Sequence, residues 1–106
     1  MEYCSLDEAV LVASSEAFSG WKMYDRENVQ VVHILVPPGG SVPLHATPQD
    51  VLFYVLEGYG VFVIGEEEKQ VGPHTLIASP RGLPHGVRNE SLGSLRFLVV
   101  KLPVQE

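Results

Sequence analysis

Three observations predict an all-β domain. Sixteen of the 106 residues are valine, whose branched Cβ favours pleated, half-buried backbone. Ten glycines and eight prolines punctuate the chain, supplying turn geometry and interrupting any long helix. Between these breaks lie short apolar-rich segments at regular spacing, with no helical period between them, as in a sandwich or barrel.

In chain order, the first signal is Ser5-Leu6-Asp7-Glu8, where a Ser and a Glu three residues later make a capping box for one or two helical turns. Val10-Leu11-Val12 reads equally well as a continuation of that helix or as a strand. Strands are then expected at 20–25, 29–36, 42–45, 51–56, 60–64, 69–71, 75–78, 85–89 and 95–102. Turn signals close them: Pro37-Pro38-Gly39-Gly40, Glu57-Gly58, Gly65-Glu66, Gly72-Pro73, Pro80-Arg81-Gly82 and Leu92-Gly93-Ser94. The acidic run Glu66-Glu67-Glu68 falls at a hairpin tip, where it keeps the edge soluble. Residues 1–106 are expected to form one domain, with 1–28 as an N-terminal arm (short helix and edge strand) and 29–102 as the barrel core.

Charge narrows the partners. Seven Lys and Arg against 13 Asp and Glu leave a formal net charge of −6, which disfavours nucleic acid and anionic lipid because both require a basic face. Residues 28–49 carry no formal charge, but Pro37, Pro38, Gly39, Gly40 and Pro43 break the stretch, so it is not expected to span a membrane. The acidic start of the chain has none of the cationic and apolar character of a signal peptide, and a cytoplasmic location is expected. Cys4 is the single cysteine and reads as an incidental thiol.

Two motifs carry a resemblance. Pro38-Gly39-Gly40-Ser41-Val42-Pro43-Leu44-His45-Ala46-Thr47, followed by 51–58 ending Tyr54-Val55-Leu56-Glu57-Gly58, resembles the first motif of the cupin family. Pro80-Arg81-Gly82-Leu83-Pro84-His85-Gly86-Val87-Arg88-Asn89 resembles the second. The resemblance implies a double-stranded β-helix, or jelly-roll barrel, with a central pocket, and a chain that pairs into a homodimer. In metal-containing relatives it implies three histidines and a glutamate around iron, manganese, nickel, zinc or copper.

His45 and His85 match two of those histidines. The third histidine falls on Thr47 and the glutamate on Val51, so half of the implied shell is missing. Strand alternation puts His45 with Thr47, and Val51 with Phe53 and Val55, on shared faces. With Val87 these residues are expected to line the pocket. A third metal ligand would have to come from His33, whose face the pattern leaves open, or from Asp50, which points away from Val51 unless a bulge re-aims it. His74 stands where the family commonly carries glycine, and reads as an exposed turn residue. Arg81 and Arg88 flank the second motif and are candidates to grip a carboxylate at the pocket mouth. Tyr54 and Leu56 are expected on the opposite face of their strand, where with Trp21 and Tyr24 they supply apolar area for association.

A firmly held catalytic metal takes about three protein ligands and an open position, and facial iron sites need two histidines and a carboxylate. The leading expectation is therefore a small-molecule-binding module with a mostly apolar pocket, two histidine anchors and a weak or lost site for a divalent transition metal. A metal-dependent isomerase, lyase or oxygenase acting on a small organic acid or sugar derivative is the alternative, and an accessory or regulatory subunit the third.

Overall fold

A computed structural model describes residues 1–103. One turn of 3-10 helix, Leu6–Glu8, opens the chain; the Ser5 amide and hydroxyl donate to the Glu8 carboxylate at 3.4 and 2.8 Å. The helical alternative stops there. Valine-rich residues 10–12 lie in strand β1 (Val10–Ser14), which pairs with β2 (Ser19–Asp25).

Eight further strands follow: β3 (Gln30–Val36), β4 (Ser41–His45), β5 (Val51–Glu57), β6 (Gly60–Ile64), β7 (Glu67–Val71), β8 (Leu76–Ser79), β9 (His85–Arg88) and β10 (Leu95–Lys101). They form two antiparallel sheets, ordered β1-β2-β3-β10-β5-β8 and β4-β9-β6-β7. Among the described residues there is no α-helix, and no helix is long and apolar enough to cross a membrane. The all-β jelly-roll expectation holds.

Alternation decides what each sheet buries. Val32, Ile34 and Val36 of β3, Val51, Phe53 and Val55 of β5, and Leu95 and Phe97 of β10 point inward from the six-stranded sheet. Phe62 of β6 and Val87 of β9 meet them from the four-stranded sheet. Phe53, Phe62 and Phe97 pack mutually, with ring centroids 5.2–6.0 Å apart, in the tilted and edge-on geometries that aromatic quadrupoles favour.

The acidic run sits at the tip of the β6–β7 hairpin, as expected, and reaches into the strand. Only Glu66 lies in the turn, while Glu67 and Glu68 belong to β7 at the edge of the four-stranded sheet, where charge discourages pairing with another chain. His74 adopts φ +65, the left-handed conformation that glycine takes without strain, which accounts physically for the glycine expected at that turn.

Candidate functional site

A cavity of roughly 210 Å³ opens between the sheets at one end of the barrel. Its wall is hydrocarbon from Val32, Ile34, Val51, Phe53, Val87 and Val99, with His45, His85 and Lys101 as the ionisable side chains. The N-terminal arm contributes Val12 and Phe18, so it is part of the site.

His45 and His85 come from distant motifs and meet as register partners across β4 and β9. Their rings stand edge to face, centroids 4.6 Å apart. A bulge in β4 creates this pairing. Val42 is opposite Val87, and regular alternation from Val42 would set Leu44 against His85; one extra residue before His45 shifts the phase. Pro43 lies within the shift and has no N–H for the ladder, which is why it is accommodated at a bulge. Gly86 allows the kinked strand to approach: a Cβ there would lie 3.0 Å from the Val42 carbonyl oxygen.

The histidines differ in environment. His85 is 3% exposed, packs edge-on against Phe53 with centroids 5.3 Å apart, and has Nδ1 2.9 Å from Ser79 Oγ. Burial holds its pKa below the ordinary imidazole value, and the neighbouring His45 and Lys101 push the same way; the ring is neutral at pH 7. Every fully buried side-chain nitrogen and oxygen among the described residues has a hydrogen-bond partner. Nε2 of His85 has none among the described residues, so it is reached through the cavity. His45 is more exposed, and its Nδ1 lies 2.9 Å from the Pro43 carbonyl oxygen. A carbonyl only accepts, so that nitrogen carries hydrogen, and in the corresponding neutral tautomer Nε2 is the acceptor.

Val51, Phe53 and Val87 take their expected places on the cavity wall. Two other expected lining residues do not. Val55 is fully buried in the core, deeper than the cavity. Thr47 lies beyond the end of β4, so alternation no longer governs it, and its hydroxyl donates to the Gln49 carbonyl at 3.4 Å.

Both candidates for a third metal ligand fail on position. His33 lies on the outer face of the six-stranded sheet, where Arg96 Nη1 approaches its Nε2 at 3.1 Å and Trp21 packs edge-on. Asp50 sits in the exposed loop before β5, accepting the Arg81 amide at 2.9 Å. No group of three His, Cys, Asp or Glu side chains among the described residues is arranged to hold a metal ion. Two imidazoles beside an ammonium do not fit a tightly bound divalent cation.

Arg88 is likewise turned away from the mouth, ion-paired with Glu68 and Glu90. Arg81 borders a small outer groove with Gln49, Asp50 and Pro103. Sequence reasoning missed Ser79 and Lys101. Each continues an inward alternation, Ile77 to Ser79 and Phe97-Val99-Lys101, and that continuation was the available signal.

The comparisons agree with this architecture. No curated protein matches the chain. Among solved structures, TT1209 from Thermus thermophilus is 32% identical, with a TM-score of 0.85 over 97% of this chain and 98% of that one. The polyketide cyclase RemF from Streptomyces resistomycificus is 27% identical, TM-score 0.83, over 96% and 79% respectively. KdgF from a Halomonas species, at 14% identity and TM-score 0.86 over 98% and 96%, shares the fold. Residues 32–101 match the family model described as Cupin domain, and the chain belongs to the cupin family.

Proposed function

We propose that this protein binds a small, mostly apolar molecule inside the barrel, using the His45 and His85 imidazoles as polar anchors and no tightly held metal. The observation that carries the proposal is the meeting of these two rings on an otherwise hydrocarbon wall. A concave apolar site with a few convergent polar groups is the common form of a small-molecule pocket. At roughly 210 Å³ it is smaller than the ~300–1,000 Å³ of drug-sized sites, so the ligand is compact.

Elemental analysis of protein purified without added metal, alongside His45→Ala and His85→Ala variants, tests the proposal. Well under one metal per chain is expected. Near-stoichiometric metal that either substitution abolishes would overturn the proposal in favour of a metal-dependent enzyme.

The likeness to a polyketide cyclase at 27% identity supports a second reading, proton transfer on a bound molecule. His45 Nε2 would serve as base and the His85 Nε2 as hydrogen-bond donor. Turnover lost in both histidine variants, with binding retained, would select it.

Homodimer formation is also proposed. Leu52, Tyr54, Leu98 and Val100 lie half-buried on the outer face of the six-stranded sheet, beside the exposed Leu76, an apolar face of the kind that associates. Light scattering on the eluting protein decides it; a monomer at micromolar concentration would count against it.

A further inference from the structure

We propose that Lys101 makes this cavity selective for a small organic monoanion, a carboxylate or enolate on an apolar body, whose charge the Lys101 ammonium meets while the imidazoles fix its orientation. The proposal rests on the cavity-binding reading above and adds the charge class of the ligand.

Register places Lys101 with the inward-facing residues. It is opposite Val51 on one side and Gln30 on the other, and residues directly opposite in an antiparallel pair point to the same face. It therefore follows Leu95, Phe97 and Val99 inward, and it lines the cavity with Val51 and Val99. It also borders the outer groove containing Arg26, Glu27 and Gln30. Partly exposed where the cavity meets this groove, it avoids the full desolvation cost of a buried ammonium.

Its electrostatic surroundings are one-sided. Among the described residues, no Asp or Glu lines the cavity. Lys22, Arg26, Arg88 and Arg96 each make an ion pair, whereas Lys101 makes none among the described residues, its groove neighbour Glu27 included. The chain's net charge of −6 works against an approaching anion at long range. The cavity rim offers it an ammonium that no carboxylate among the described residues pairs with. The alternative of a metal cation is disfavoured by the same residue, because Lys101 stands directly beside Val51, where the family resemblance implies a glutamate.

The test titrates the intact protein at pH 7.5 with benzoate and hexanoate, and with the neutral isosteres benzamide and hexanamide. Affinity is read by calorimetry, and the His85 ring resonances by NMR. The carboxylates are expected to bind at least tenfold more tightly than the amides and to shift the His85 signals. Lys101→Met should lose about tenfold or more in carboxylate affinity, and with it the preference for acids over amides, and Lys101→Arg should retain the preference. Equal binding of acids and amides with shifted His85 signals, or an unaltered preference in Lys101→Met, would overturn the anion assignment and leave the cavity-binding reading standing. If none of the four probes moves the His85 signals, both fall.

Discussion

Ser79 Oγ and His85 Nδ1 lie 2.9 Å apart, a hydrogen bond that ties the end of β8 in one sheet to the start of β9 in the other. Both residues are buried. The bond holds the orientation of the ring whose Nε2 opens onto the cavity.

Ser79→Ala should therefore cost about 1–3 kcal/mol, the penalty for leaving a buried polar group unpaired. It should also broaden the His85 ring resonances. Urea unfolding with an unchanged m-value, together with NMR, checks both; an unchanged midpoint would show that the hydrogen bond contributes nothing net.

A pH dependence follows from two histidines. Burial first, then His45 and Lys101, lowers the pKa of His85; burial first, then Arg96, lowers that of His33. The unfolded chain binds protons more readily at both, beginning near the ordinary value of about 6.5. Stability is thus complete above that pH, falls as the pH drops through it, and levels off below the folded pKa values. The melting temperature should decline between pH 7.5 and 5. His33→Gln, which keeps an acceptor for Arg96, should make that decline shallower, and an identical slope would refute the contribution of His33.

Asn89 closes the second motif for structural reasons. Its amide donates to the carbonyls of Val36 (3.0 Å) and Gly93 (2.8 Å), while its oxygen accepts from the Ser91 amide and hydroxyl at 2.9 and 2.6 Å. Asn89→Ala should destabilise by about 3 kcal/mol, because the buried carbonyls lose their donors. Ligand affinity measured below the new melting temperature should be unaffected, since Asn89 is not on the cavity wall.

At the end of the first motif, Gly58 has φ +81, and a Cβ there would lie 2.2 Å from the Ser94 carbonyl oxygen. Gly58→Ala should cost at least about 2 kcal/mol from backbone strain and overpacking together, readable as a lower denaturation midpoint.

The donor set can be altered to test why the site does not fit a metal. Val51→Glu combined with Lys101→Met would put a carboxylate on the same wall as His45 and His85 and remove the adjacent cation, giving three ligands suited to zinc. Zinc should raise the melting temperature of the double variant, by about 2.7 kcal/mol of stabilisation at one hundred times the dissociation constant. It should leave the parent protein essentially unmoved. An equal rise in the parent would contradict the account given of His45, His85 and Lys101.

Much of this was legible in residue order. Nine strands from β2 onward appear close to where valine and turn residues placed them, and the two motifs singled out His45 and His85 although 40 positions separate them. Faces were less legible. His33 alternates with apolar neighbours in both directions, and only the pairing of β3 with β2 and β10 reveals that it belongs with Trp21 and Arg96 outside the barrel. Thr47 was expected inward only by carrying strand alternation two residues past the strand end at His45, where it no longer governs the side chain.

By itself, then, the sequence determined the β class, the turns, the apolar content of the core and the two imidazoles. Tertiary structure alone decided which polar groups share the cavity. The alternation of a strand orders side chains relative to one another; its phase against the barrel depends on bulges and pairing partners contributed by remote segments. The shift around Pro43 turned His45 inward to meet His85, and the placement of β10 against β5 brought Lys101 beside Val51.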